Sequence, residues 1–404
     1  MNDFLDIYSM KFFVRMRNKA QMFSSLADDH YHTRLLHSLE VCNIAELIVK
    51  KLLTAYPKSK KLKEIDKKRL VTISLLHDIG HTPYGHIGER TLNDLCSGKT
   101  KTPFLPDFVK LNCQCGFKHN INSGILYKEY LIKSNKKITY DDCFIIDGIT
   151  KHSKLYNKKQ KKLDYGFEYI KSGLPIDIDF HKSLPMTIEG FIVAFADEIA
   201  QMFSDYQDLA YAKFDVSSIN TLTPFSISPS IKKYEEIAAS ALDYMIGLFV
   251  LAFNPSSYNY ISIKQSRFGK ELSLFDKARL KIIKSNETIN SHDYIKERNI
   301  IILFQHYFNN PSDGLELFDD FKNRVKRNKI SKLIKSEVES LKKDNFDEYI
   351  KKVIDNASST HSSKAKKYAM VLRIFIKSVA IYVSKMTDSY ADHKVKKIIS
   401  SKKD

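Results

Sequence analysis

Histidine and aspartate are concentrated where an ordinary apolar core has no use for them. His37 lies inside the run TRLLHSLEVCNIAELIVKKLL, His77 and Asp78 close RLVTISLLHD, His81 and His86 follow shortly after, and Asp197 interrupts GFIVAFADEIA. A single histidine on an apolar face is ordinarily a hydrogen-bonded core residue. As a group, imidazole nitrogens and carboxylates are the donors a divalent transition metal takes, and two histidines with two aspartates leave positions open for water or substrate. Adjacent His77 and Asp78 reach one ion when they sit at a helix terminus. His37 and Asp197 must then come from neighbouring helices, as in metal sites built inside helical bundles. The expected ligands are therefore His37, His77, Asp78 and Asp197.

Such ligands need long helices to carry them, and the apolar spacing supplies these. From residue 33, Leu36, Leu39 (or Glu40), Asn43 and Leu47 fall at three- and four-residue spacing with further apolar residues widening the stripe, which predicts a long helix capped near Asp29 or Thr33. A lysine-rich turn leads into a second helix over RLVTISLLHDIGH ending near Gly80, then a turn at 83–85 and a short helix from about His86. Residues 97–118 read as a loop. Helical pattern resumes at 119–133 and 141–152, and MTIEGFIVAFADEIAQMFSDYQDLAYA is a strong helix. The Ser/Thr/Pro-rich stretch 215–231 is the expected boundary, dividing a core at 1–215 from a C-terminal helical region at 216–404. Beyond it, apolar periods recur at 238–253, 299–307 and 368–383 with a polar break at 356–366, and ISIKQSRFGKELSLF allows a short hairpin.

Composition agrees with an all-α fold. The 404 residues are 43% hydrophobic and 28% charged, enough for a sizeable core, and 13 glycines and 10 prolines are too few for collagen-like or turn-dense β architectures. The charge of +18, mostly lysine, with a pI near 9.3, is either a lysine-coated surface or one that attracts polyanions. Five scattered cysteines make no disulfide framework, and Cys113-x-Cys115 lacks the second pair of a zinc ribbon, so reduced thiols and a cytoplasmic address are expected. The start MNDFLDIYSMKFF has no apolar signal-peptide core, and the most apolar stretch, 239–253, is interrupted by Asp243 and reads as a core helix rather than a membrane span.

The pattern H…HD…D resembles the HD superfamily of metal-dependent phosphohydrolases. More narrowly, TRLLHSLEV, LLHDIGHTPYGHIGE, GFKHN and ADEIA…D are similar to successive blocks of the deoxynucleoside-triphosphate triphosphohydrolases, the dGTPase-like branch. YVSKMTDSYA resembles that branch's closing block, usually written with Gly and Arg where this chain has Lys385 and Ser389. The resemblance runs from about residue 33 to 391 and implies an HD-domain helical bundle with a mostly helical C-terminal extension that completes the nucleotide pocket and an oligomer interface.

It also implies metal binding by the same four residues, with Mn²⁺ or Mg²⁺ foremost and Fe, Co, Ni or Zn as alternatives. Arg34 matches an arginine one turn before the first metal histidine, where a guanidinium holds phosphate through two parallel bonds. His86 and Glu89 match a catalytic histidine and its carboxylate partner at i,i+3, and His81 and His119 match further active-site histidines. Asp205, on nearly the same helical face as Asp197, matches an acid used near the sugar, and Gln201 stands where the branch commonly has a tyrosine beside the deoxyribose.

The implied activity is hydrolysis of a nucleoside triphosphate, dGTP or another dNTP, to nucleoside and intact triphosphate. Two alternatives stand beside it. One is another HD phosphohydrolase, such as a 5′-nucleotidase or signalling-nucleotide hydrolase. The other is a nucleic-acid-binding protein with a regulatory HD site, favoured by the basic charge. Expected partners are the nucleotide, a single-stranded nucleic acid or nucleotide effector, and further copies in a homo-oligomer, with no membrane.

Overall fold

The computed structural model describes residues 3–21, 32–99, 115–153, 163–180, 182, 184–226, 233–358 and 363–401. The longer helices are α1 (Arg34–Ala55), α2 (Lys67–Leu76), α3 (Gly85–Cys96), α4 (His119–Lys133), α5 (Tyr140–Lys151), α6 (Ile188–Tyr211), α7 (Tyr234–Ala252), α8 (Arg267–Lys284), α9 (Glu287–Asn309), α10 (Leu317–Arg327), α11 (Phe346–Ser358), α12 (Ser363–Ser384) and α13 (Asp388–Ser400). The fold is all-α as expected. Among the described residues the only β-type pairings are isolated bridges joining Ala20 to Thr33 and Cys115 to Asp164. No described helix is long and apolar enough to cross a membrane.

Helix starts follow short polar side chains that accept an otherwise orphaned backbone N–H, each stabilising by about 1 kcal/mol. Thr33 accepts from Leu36 N ahead of α1, Asp66 from Arg69 N ahead of α2, and Thr187 from Gly190 N ahead of α6. Thr139 and Asp142 cap each other reciprocally at the start of α5. Two expected details lie outside the described residues, the alternative cap Asp29 and the thiol of Cys113.

The molecule divides into two compact units, each discontinuous in sequence. The first comprises Met1–Ile79, Lys137–Lys154 and His181–Asp293, and the second Gly80–Lys136, Leu155–Phe180 and Tyr294–Asp404. The division expected at 215/216 falls inside the first unit, where short helices Ser217–Asn220 and Thr223–Ser226 follow it. Of the expected loop at 97–118, residues 100–114 lie outside the described residues, as do 227–231 of the boundary and 359–362 of the polar break.

In the first unit Arg69 ties three helix starts together. Its Nε donates to Asp141 at 2.7 Å and its Nη1 to Glu189 at 3.3 Å, while Glu189 also accepts from Asp66 N at 2.8 Å. Gly148 eases the close passage of α5 over α2, because a Cβ there would lie 2.6 Å from Ile73 Cδ1 and the Ile73 side chain would have to shift. On the other side of α6, Phe195 packs against Phe249 of α7 and Phe268 of α8 at centroid distances of 5.2 and 5.8 Å.

Two local expectations are corrected. The stripe chosen for α1 is not its buried face: Leu36 and Leu39 are exposed at 44% and 38%, whereas His37, Ser38, Val41, Ile44, Ala45, Ile48 and Leu52 are buried. Apolar residues surround this helix, so spacing alone does not select the inward side. The suggested hairpin at 261–275 is instead helical, formed by Tyr260–Gln265 and α8, with Ser266 between them.

The second unit is built on α3, α4 and α10 to α13. Phe375 of α12 meets Phe321 and Phe346 edge-on, both at 6.0 Å. Gly80 lies against the backbone of α4, where a Cβ would stand 2.2 Å from Ser123 N; its own N–H donates to Ser123 Oγ and its carbonyl accepts from Asn122. Tyr84, left-handed at φ 62°, precedes α3 and is held by Asp388 at its backbone N–H and by Asp392 at its hydroxyl.

Candidate metal centre and histidine cluster

Two helix C-termini of the first unit end in the same way. His77 caps α2 and its Nδ1 donates to Ser74 O at 2.7 Å; His152 caps α5 and its Nδ1 donates to Ile149 O at 2.6 Å. A carbonyl only accepts, so both rings carry a proton on Nδ1 and their Nε2 atoms become the acceptor or ligand sites in the neutral form. The two rings meet edge to face at 4.9 Å, and His37 of α1 lies 5.5 Å from His77.

The carboxylates complete the group. Asp197 of α6 approaches His37 Nε2 at 2.9 Å and His77 Nε2 at 3.6 Å, and Asp78 lies 3.7 Å from His77 Nε2 and 4.0 Å from His152 Nε2. The structure thus brings together all four residues expected as ligands. Donor atoms of His37, His77 and Asp78, and of His77, His152 and Asp197, form triplets lying within 4.8 Å of one another.

These residues fit a divalent ion. His77 Nε2 is buried without a hydrogen-bond partner among the described residues, and its separations from two carboxylate oxygens are those of ligands sharing one ion at about 2.1 Å. Burial alone would lower the His77 pKa, but Asp78 and then Asp197 outweigh it and push it up to about 9. For Asp197, burial opposes ionisation, and the bond from His37 with the nearby His77 ring at 3.6 Å overcomes this and holds the carboxyl well below its usual range. A pocket that favours a proton on Nε2 also favours a metal cation in its place.

Arg34 is buried at the start of α1, with Nη1 donating to Asp78 Oδ2 at 2.5 Å and Nη2 to Gln21 O at 3.0 Å. Its guanidinium therefore orients Asp78. Gln201 is half-buried on α6, one turn beyond Asp197. Asp205 is buried further along α6 in an ion pair with Arg279 of α8. Burial raises the Asp205 pKa, with the Arg279 charge opposing.

The second unit carries its own histidine cluster, organised by Glu89 of α3. Glu89 Oε2 accepts from His119 Nδ1 at 2.9 Å and lies 3.4 Å from His86 Nδ1, while Oε1 faces His119 N at 3.4 Å and Lys118 Nζ at 3.6 Å. Burial works against a charge on Glu89, yet His119, His86 and Lys118 hold it well below the usual carboxylate range. His81 stacks on His119 with centroids 3.9 Å apart. His119 is the first residue of α4, where the helical pattern is expected to resume, and is buried; it is a closer partner of Glu89 than is His86. The His86 side chain is 64% exposed.

Sequence reasoning missed His152. The signal was present, since ITKH ends an amphipathic helix with histidine as LLHD does. Without an adjacent aspartate, however, it read as an ordinary helix end. Arg279 was missed as well, because nothing in the sequence pairs it with Asp205.

Residues 34–202 match the family model of the HD domain, a helical fold. Within that class, a deoxyguanosinetriphosphate triphosphohydrolase-like protein of Rickettsia felis is 31% identical over 241 residues, 58% of this chain and 54% of its own length. Proteins of the same name from Rickettsia rickettsii and Geobacter metallireducens are 31% and 30% identical, over 58% and 48% of this chain and 53% and 41% of their own lengths. The chain spans about half the length of these relatives.

Proposed function

We propose that this protein is a metal-dependent phosphohydrolase whose substrates are deoxynucleoside triphosphates, cleaved to nucleoside and inorganic triphosphate. The observation that carries the reading is the buried Nε2 of His77, which makes no hydrogen bond among the described residues yet stands 3.6–3.7 Å from carboxylate oxygens of Asp78 and Asp197, with His37 beside them. His37, His77, Asp78 and Asp197 would hold the ion, with His152 beside them. When bound, the ion supplies Lewis-acid polarisation of a phosphoryl oxygen and lowers the pKa of water. Imidazole and carboxylate ligands accommodate Mn²⁺ and Mg²⁺ and also Fe, Co, Ni or Zn.

The chain's own residues supply the rest. Arg34 fixes the direction of Asp78 and brings positive charge to the place where phosphate oxygens would lie. In the second unit, Glu89 holds Nδ1–H of His119 and faces that of His86, which leaves the opposite nitrogen of each ring to give or take a proton. His86, exposed and facing that carboxylate, is the proposed acid–base residue, with His81 and His119 binding phosphate oxygens. Gln201, in the place of a bulkier tyrosine, leaves room and a hydrogen-bonding amide near the sugar, which favours relaxed discrimination between dNTPs and NTPs. The names of the relatives support a nucleotide substrate.

Product identification tests the reading. The protein is incubated with each dNTP, and with GTP beside dGTP, in Mn²⁺ or Mg²⁺, and the products are separated. Nucleoside with intact triphosphate supports it. Monophosphate or diphosphate products assign the site to another HD phosphohydrolase, and binding without turnover to a regulatory one.

A further inference from the structure

The second unit also contains a small cationic cavity that shares no residue with its histidine cluster. It is lined by Arg324 of α10, by Arg373 and Lys377 of α12, and by Asp164, Gly166 and Tyr169, and its volume is about 30 Å³. That is room for about two water-sized groups, or two oxygens of an anion, and not for a nucleoside.

Two of its cations, Arg324 and Lys377, keep donor capacity to spare. Arg324 is 3% exposed; its Nε and Nη2 both donate to Glu129 Oε1, at 3.1 and 2.6 Å, but Nη1 has no hydrogen-bond partner among the described residues. Glu129 in turn lies 3.8 Å from Lys385, and Asp320 is engaged by both Lys385 and Lys133, so the nearby acids are shared among several cations. Lys377 donates to the Asp164 carbonyl at 3.3 Å, a long bond for an ammonium group. Burial lowers its pKa and the nearby Arg324 charge adds to this, against partial relief from Asp164. The Asp164 carboxylate already accepts from Gly166 N at 2.7 Å. Gly166 itself is left-handed at φ +88°, and a Cβ there would lie 2.6 Å from Lys377 Nζ, so this glycine gives the ammonium its place at the cavity.

We propose that this cavity is an oxyanion site that takes a single phosphate group, either as free phosphate or as the phosphate of a nucleotide whose nucleoside stays outside. An orphaned guanidinium N–H and an under-bonded ammonium beside a second arginine match the several acceptor oxygens of phosphate better than one water, which would supply no charge. The site stands independently of the hydrolytic reading.

The test uses the full chain in EDTA, with inorganic phosphate, dAMP and, at matched ionic strength, chloride. Phosphate is expected to raise Tm above the chloride control, and equilibrium dialysis is expected to count one more bound phosphate per chain in wild type than in Lys377→Met. That variant keeps the aliphatic stem and should weaken binding about tenfold or more. Arg324→Gln takes from buried Glu129 its closest cation and risks unfolding, so Lys377→Met is the primary variant and Lys377→Arg the rescue. Equal responses to phosphate and dAMP assign the site to phosphate alone; a larger response to dAMP assigns it to a nucleotide. Identical binding by wild type and Lys377→Met, or no response beyond chloride, overturns the proposal.

Discussion

The two histidine-rich regions are built on opposite plans. In the first unit, His77 and His152 are locked by their own helices: each donates Nδ1–H to the carbonyl three residues before it, and both rings are buried. In the second unit, a single carboxylate, Glu89, serves both His86 and His119, and His86 remains largely in solvent. A ring fixed by main-chain geometry presents one nitrogen in one direction, as an ion requires. A ring hinged on a shared carboxylate can change its proton and its position, as acid–base work requires.

The largest effect should come from breaking the locked region. His77→Ala is expected to abolish metal binding and reduce hydrolysis to background, because it removes the donor that stands near both Asp78 and Asp197. Metal per chain by elemental analysis and nucleoside release measure this; full metal content with full turnover would remove the assignment.

Breaking the hinged region should spare the metal. His86→Ala is expected to retain stoichiometric ion while kcat falls by about 10² to 10⁴-fold, and His119→Ala should act more on KM if that ring binds phosphate. The reverse split would exchange the two roles.

His152→Gln sharpens the comparison at lower amplitude. If His152 belongs to the locked region, metal affinity should weaken by about 10 to 100-fold with the fold intact, read by competition with a chelating dye. Unchanged affinity would confine His152 to capping α5.

The smallest effect concerns pH and stability. In the first unit His32 donates from Nδ1 to Asp208 at 2.5 Å and lies 3.4 Å from Glu40; burial alone would lower its pKa, but these acids raise it from 6.5 to about 10. Its contribution to stability is fully present below pH 6.5 and disappears as pH rises through about 10. Glu89 in the second unit is depressed instead, so its contribution is present above the ordinary carboxylate value of about 4.3 and is lost as pH falls through its folded value. Hydrogen exchange should therefore report alkaline weakening around His32 and acid weakening around Glu89. His32→Gln should remove the first trend and leave the second.

Much of the candidate site was legible in the sequence because its residue types are improbable where they stand. A histidine inside α1, a His-Asp pair closing α2 and an aspartate inside the apolar run of α6 conflict with burial unless they share a partner, and that conflict is local information. Helix positions were likewise set by local caps and spacing. The inward face of α1, the recruitment of His152, the Arg34 bond to Asp78, the pairing of Asp205 with Arg279 and the choice of His119 as the closer partner of Glu89 were decided only by tertiary structure. Each depends on which helices pass close enough to touch, and close passages such as that permitted by Gly148 join residues far apart in the chain. Sequence periodicity carries no record of such distances, because it describes one helix at a time.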